Sequence, residues 1–410
     1  MLYDATDGAR EALAKEKVTA YIGFDPTASS LHVGSLLPIM ALARLQRFGH
    51  SPIALVGGGT GMIGDPSGKS AERSLLSIDE IDVNARGMRA QLERFLDFKA
   101  SPNAARMINN ADWLRKIGLL EFLRDTGKYF TVNYMLAKES VKRRLGGDEG
   151  ISFTEFTYVL LQAHDYLHLH DAVGCTLQMG GSDQWGNITA GCDLIRKVRG
   201  AKAHGVVLPL VTTSSGTKFG KTEAGTVWLD PQRTSSFRFY QFWLNADDRD
   251  VIKYLKFFTW LDRPIIEALE KTVTEAPEQR EAQRTLAREV TSMVHGPNEL
   301  ERAERASQVL FGGSLAGASA DDILLVFDDV PATEMRADEL ASFQANALVT
   351  RAGLAASKGE ATRLIKQGGI YVNDRRVTDE RSAVSVDEAI GGRVIVLRKG
   401  QRERRIVKIT

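Results

Sequence analysis

The chain has 410 residues, 43% of them hydrophobic, 26% charged and 8% aromatic, with a net charge of +1, so it is neither a disordered segment nor a global polyelectrolyte. Only two cysteines occur, Cys175 and Cys192, without paired CxxC spacing, which excludes a disulfide framework or structural zinc site and points to a reducing compartment. No basic segment followed by an apolar run opens the chain, and no uncharged apolar stretch reaches the ~18 residues that span a bilayer. A cytoplasmic location without membrane contact is therefore expected.

Taken in chain order, short apolar runs at 20–24, 53–56, 107–109, 176–179 and 206–210, each flanked by Gly, Pro or Asn, predict strands. Helical patterns lie between them, at 36–48, 84–95 and 156–167 among others. This alternation predicts an α/β fold with a parallel sheet covered by helices, whose ligands bind at the carboxyl ends of the strands. From about residue 235 to 312 the pattern becomes helical and charged, for example at 248–261 and 278–294. Its aromatics Phe237, Phe239, Tyr240, Phe242 and Trp243 read as a packed helical core rather than a stacking platform for bases. Residues 321–345 read as a spacer containing Pro331. The last segment, 346–410, opens a basic helix at Ser357 and reaches a turn at Asn373-Asp374. It holds 14 Lys/Arg against 7 Asp/Glu, a surplus of 7, so residues 1–345 carry −6 within the overall +1. A basic tail on an acidic body suits a nucleic-acid partner.

Two motifs carry the chemistry. Asp25-Pro26-Thr27-Ala28-Ser29-Ser30-Leu31-His32-Val33-Gly34-Ser35 lies where the first strand turns into a helix. Free N–H groups and a partial positive charge make that helix start an anion site, with Ser29 or Ser30 expected as its cap and His32 in its first turn. Gly34 leaves room for a base or phosphate against the backbone. The second motif, Lys218-Phe219-Gly220-Lys221-Thr222, sets two lysines three apart beside a Thr/Ser/Gly loop. Together they describe a nucleoside triphosphate site.

Three other stretches need weighing. Gly59-x-Gly61-x-x-Gly64 imitates a dinucleotide fingerprint, but Asp65-Pro66-Ser67-Gly68 would break the helix that fingerprint requires, and the run is one residue short of a P-loop. A glycine loop placing Asp65 in a pocket, with Lys69 and Arg73 near phosphate, is the better reading. His164 and His168, four apart, imitate a zinc site, yet Asp165 stands where the base Glu would be. Instead Tyr158, Gln162 and Asp165 form a polar stripe on one helix face, costly to bury without a polar ligand. Asp183 and Gln184 follow a strand and two glycines, which suits a ribose and a carboxylate or phosphate.

These segments in this order resemble the bacterial tyrosyl-tRNA synthetases, a family of class I aminoacyl-tRNA synthetases, along essentially the whole chain. The resemblance implies a Rossmann-like catalytic domain over 1–212 and a Lys loop with an α-helical domain over 213–320. A linker at 321–345 and a small α+β RNA-binding domain at 346–410 complete it. It implies a homodimer that uses ATP with Mg²⁺ to charge tRNA(Tyr) with L-tyrosine. Tyr21 and Asp165 would then meet the phenolic hydroxyl, Asp65, Tyr158 and Gln162 the ammonium, and Asp183 and Gln184 the ribose and carboxylate. Asp25, Thr27, His32, Gly34 and Thr222 would serve ATP, and Lys218 and Lys221 the pyrophosphate. Ser35 replaces a second histidine of the family motif and brings a hydroxyl without charge. The rival readings are a tryptophan ligase of the same class, another adenylyl transferase on this fold, and a non-catalytic RNA-binding relative.

Overall fold

A computed structural model describes residues 2–410 except 68–75, 148–149, 215, 217–218, 223–224, 313–314, 316–317, 328–329, 341–342 and 401–402. The chain divides into two compact units, residues 1–234 with 246–294, and residues 235–245 with 295–410.

The first unit is built on a six-stranded sheet. Its strands are β1 (Asp4–Ala5), β2 (Thr19–Phe24), β3 (Ser51–Val56), β4 (Arg106–Asn109), β5 (Cys175–Gly181) and β6 (His204–Leu208), in the order β1-β6-β5-β2-β3-β4. All pair in parallel except β1, which runs antiparallel to β6. Strands such as Ser51–Val56 are apolar on both faces because helices cover both sides of the sheet, and Ile53 and Ala54 are fully buried. Chain order reverses between β2 and β5, so a crevice opens at their carboxyl ends, where such sheets hold ligands. The 21-residue helix Phe153–Val173 lies against β5; the Ser152 side chain accepts from the Glu155 N–H at its start, and Gly174, at φ 64°, ends it.

The helix Leu36–Arg47 begins differently from the expectation. A 3₁₀ turn, Val33–Ser35, intervenes, and the residue that caps it is His32. Ser30 caps nothing: its hydroxyl donates to the Leu31 carbonyl (2.7 Å) and accepts from Gln91 (2.9 Å) and from the Asp230 N–H (3.2 Å). Beyond the sheet, the short strands β7 (Lys221–Thr222) and β8 (Gly225–Thr226) form a hairpin.

The helical stretch 213–320 is not a body of its own. The helix Asp248–Phe258 belongs to the first unit, where the Arg44 guanidinium donates to the carbonyls of Phe257 and Thr259, each at 2.9 Å. The helices Ser236–Leu244 and Pro297–Gly312 belong to the second, joined by Gln241 donating to Ser307 at 2.9 Å. The aromatics of Ser236–Leu244 do pack inward: Trp243 and Phe239 are fully buried.

The second unit also contains a five-stranded sheet. Its strands are β9 (Ala332–Met335), β10 (Ile370–Val372), β11 (Arg375–Arg376), β12 (Val394–Lys399) and β13 (Glu403–Ile409), in the order β11-β10-β12-β13-β9. The stretch 321–345, read as a linker from its acidic, small-residue composition, supplies β9, which pairs in parallel with β13 from Ala332 to Met335. Leu348, Ile365, Ile395, Leu397 and Val407 form one face of a core beneath this sheet. Asn373 and Asp374, at φ 46° and 67°, make the left-handed turn between β10 and β11.

Candidate active site

The crevice between β2 and β5 opens into a cavity of about 440 Å³. Its lining brings together Tyr21, Asp25, Thr27, His32, Gly34, Ser35, Asp65, Tyr158, Gln162, Asp165, Asp183 and Gln184, twelve positions singled out in the sequence. Lys69, Arg73 and Lys218 lie outside the described residues, as does the side chain of Lys221. Thr222 is placed in the hairpin, where its hydroxyl donates to the Gly225 carbonyl at 3.2 Å.

One end of the cavity is a buried polar network. Asp165 is 2% exposed and accepts from Asn110 (2.8 Å) and from the indole N–H of Trp113 (2.7 Å). Burial pushes its carboxyl up to about 7 against the pull of those two donors. Across from it, Tyr21 is 1% exposed, and among the described residues its hydroxyl has no hydrogen-bond partner. Burial first, and the Asp165 charge second, hold that phenol well above its ordinary range, so it stays a neutral donor. A buried hydroxyl left unpaired costs about 1–3 kcal/mol, which a ligand's own hydroxyl would relieve.

A second network adjoins the first. The Gln184 amide donates to Asp65 (2.6 Å) and accepts from Gln162 (3.2 Å), while Asn187 donates to the Gln162 carbonyl oxygen at 3.0 Å. Asp65 also accepts from the Ser67 N–H at 2.9 Å. Tyr158, buried on the same helix face, has its phenol raised by burial and by the Asp25, Asp65 and Asp165 charges. The polar stripe Tyr158, Gln162 and Asp165 therefore faces the cavity, not solvent.

The glycine loop shapes the wall between the networks. A Cβ on Gly57 would come within 2.4 Å of an Asp25 carboxylate oxygen and 2.6 Å of the Thr60 hydroxyl, so side chains from the end of β2 and from the turn after β3 close on bare backbone. Residues Thr60–Met62 form one 3₁₀ turn and no helix runs through Gly64, which removes the dinucleotide reading. His164 and His168 are likewise accounted for. His164 pairs with the Thr126 hydroxyl (3.1 Å), and His168 stacks on Trp113 with ring centroids 4.1 Å apart. Among the described residues no three His, Cys, Asp or Glu side chains are grouped to hold a metal ion.

The other end is made of backbone turns. The Gly34 N–H donates to His32 Nδ1 at 3.0 Å, which leaves Nε2 of the neutral ring as a donor. The Val33 N–H donates to the Val227 carbonyl (3.0 Å) and the Leu229 N–H to the Leu31 carbonyl (2.9 Å), so the chain after the Lys motif is stitched to the His32 turn. Gly220, at φ 79°, passes so close that an added Cβ would lie 2.6 Å from Val33 Cγ2. The fold thus brings together two motifs that lie almost two hundred residues apart.

Sequence reasoning missed three contributors. Asn110 is 1% exposed and joins Asp165, the Thr60 hydroxyl (2.9 Å) and the Gly59 N–H (2.7 Å). Trp113 holds the other oxygen of Asp165, and Asn187 bridges Gln162 and Gln184. The available signal for Asn110 was its position just past an apolar strand.

Comparison with known proteins shows the family. Residues 13–312 match the family model for class I tRNA synthetases (W and Y), and residues 322–407 match the tyrosine–tRNA ligase C-terminal domain model. The chain is 54% identical to a tyrosine–tRNA ligase of Roseiflexus castenholzii, over 100% of this chain and 97% of that one. It is 50% identical to the Geobacillus stearothermophilus tyrosine–tRNA ligase over 98% and 95%. A crystal structure of a C-terminally truncated mitochondrial tyrosyl-tRNA synthetase from Aspergillus nidulans superposes with a TM-score of 0.68 at 33% identity, covering 76% of this chain and 91% of that chain. The chain belongs to the bacterial tyrosyl-tRNA synthetases, within the class I aminoacyl-tRNA synthetases.

Proposed function

We propose that this protein activates L-tyrosine with ATP and transfers the tyrosyl group to the 3′-terminal adenosine of tRNA(Tyr). The observation that carries the reading is the unpaired, buried Tyr21 hydroxyl beside Asp165. A phenolic substrate completes this pair by accepting from Tyr21 and donating to Asp165. An indole has no group that both accepts and donates there, which disfavours tryptophan. Phenylalanine would leave the buried Tyr21 hydroxyl unpaired and offer nothing to Asp165.

The remaining roles follow from charge and position. Asp65, Tyr158 and Gln162 receive the ammonium, and Gln184 and Asp183 the carboxylate and ribose. The substrate carboxylate is ionised at neutral pH, so it attacks the α-phosphorus without a general base. One carboxylate oxygen forms the new P–O bond while the bond to the departing pyrophosphate breaks. The protein's task is in-line placement and neutralisation of growing phosphate charge. His32, through Nε2–H, and the backbone at Gly34 serve the phosphates, with Thr27, Asp25, Ser35 and Thr222 around the nucleotide. Lys218 and Lys221 neutralise the pyrophosphate, and Lys69 and Arg73 assist. Mg²⁺ enters as part of the ATP substrate.

A homodimer fits the distribution of exposed apolar side chains. Leu119, Leu120, Val132 and Phe153 are 72%, 80%, 61% and 77% exposed within 35 residues of sequence. Exposed apolar side chains of this size are what a second copy of the chain would cover. The basic helix Lys358–Lys366 serves tRNA through the exposed Arg363 and Lys366.

Amino-acid-dependent ATP–pyrophosphate exchange across all twenty amino acids tests the reading. Exchange with tyrosine alone is expected. Exchange with another amino acid would overturn the pocket roles, and none from folded protein would overturn the activation chemistry.

A further inference from the structure

The helix Asp248–Phe258 touches both ends of the segment that carries the Lys motif. Near its start, Asp250 is 3% exposed, and one of its oxygens accepts from the Ser214 N–H at 2.7 Å. The other accepts from Lys253 Nζ at 2.9 Å, and Lys253 in turn donates to the Thr212 carbonyl at 3.1 Å. One and two turns further along the same face, Tyr254 and Phe258 meet Phe219 with ring centroids 5.1 and 5.6 Å apart. The Phe219 and Phe258 rings lie within 5° of parallel.

The helix is itself pinned. Arg44 donates to the Phe257 and Thr259 carbonyls at 2.9 Å each and to the Lys256 carbonyl at 3.3 Å, which caps orphan carbonyls at the helix end with a cation. The guanidiniums of Arg44 and Arg47 also lie 5.3 and 4.9 Å from the Trp260 ring centroid. Arg44 and Arg47 belong to the helix Leu36–Arg47, which continues directly from the His32 turn.

From this we infer that the helix Asp248–Phe258 sets where Phe219-Gly220-Lys221 sits relative to His32, with Asp250 and Arg44 as positioning residues for adenylate formation. Neither residue lines the substrate cavity. A buried carboxylate is a costly way to hold a helix in place, since apolar packing would serve stability as well. It reaches backbone groups of the Lys segment directly at the Ser214 N–H and through Lys253 at the Thr212 carbonyl, which is what a positioning role requires. The inference rests on the proposed activation of tyrosine.

The test compares Asp250→Ala, Asp250→Asn and Arg44→Lys with the unmodified full chain in tyrosine-dependent pyrophosphate exchange, alongside tyrosine binding without ATP. Asp250→Ala should lower kcat about tenfold, the scale of one lost charge-assisted hydrogen bond, with tyrosine KM and binding unchanged. Asp250→Asn, which keeps an acceptor for Ser214, should recover most of that loss. Arg44→Lys keeps the charge, loses the fork, and should lower kcat severalfold with the same pattern. Unchanged kcat in folded variants, or tyrosine binding weakened in step with kcat, would overturn the inference alone. Absence of exchange in the unmodified protein would overturn the functional reading and this inference with it.

Discussion

The two ends of the cavity are built on opposite plans. At the Tyr21–Asp165 end, side chains from separated segments are buried, and side-chain hydrogen bonds from Asn110 and Trp113 hold Asp165. At the His32 end, main-chain bonds between Leu31, Val33, Val227 and Leu229 do the holding, and His32 itself is exposed. The difference fits the two tasks proposed for these ends. Choosing one amino acid needs groups whose mispairing is expensive, hence burial and preorganisation. Moving phosphate charge needs donors that meet the charge as it develops, hence backbone turns and a strand end that can approach.

Breaking the buried end should have the largest effect. Asp165→Ala removes the charged acceptor for the phenolic hydroxyl, worth roughly 3 kcal/mol to tyrosine and nothing to phenylalanine, so discrimination between them in kcat/KM should fall about a hundredfold. Unchanged discrimination would remove Asp165 from the selectivity pair. At the other end, Gly220→Ala forces a side chain onto φ 79° and into Val33. Exchange kcat should drop about tenfold while phenylalanine is still rejected, since strain of this kind costs on the order of 1–2 kcal/mol. Loss of rejection in that variant would show that the two ends are not separable.

A pH titration sharpens the comparison. The Asp165 carboxyl lies near 7 in the folded chain against an ordinary 3.8, so the folded state binds its proton more readily than the unfolded state between those values. Its contribution to stability therefore falls as pH rises from about 4 to about 7 and is level above. Tyrosine binding should run the other way, because the anion is the acceptor. KM for tyrosine should rise severalfold as pH drops through about 7, and Asp165→Asn should flatten that profile. The smallest effect concerns neither end. Arg363→Glu with Lys366→Glu should leave exchange intact and weaken tRNA charging a few-fold, more at low salt than at high, since each lost phosphate contact lowers the salt slope by about one. Equal charging at all salt concentrations would take this helix out of tRNA binding.

Much was determined by sequence alone. The strands of the parallel sheet announced themselves as apolar runs because strands buried on both faces have no polar alternation to blur them. The Tyr158–Gln162–Asp165 stripe was legible as one helix face because helix periodicity places it without knowledge of long-range contacts. Tertiary structure decided what depends on partners distant in the chain. Asn110 reaches Asp165, 55 residues away, and Ser30 is diverted from capping by Gln91, 61 residues away. Ala332–Met335 becomes a strand only because β13 offers it an edge to pair with. A hydrogen bond or buried face needs its partner to be defined, and only folding supplies partners that are remote in the chain.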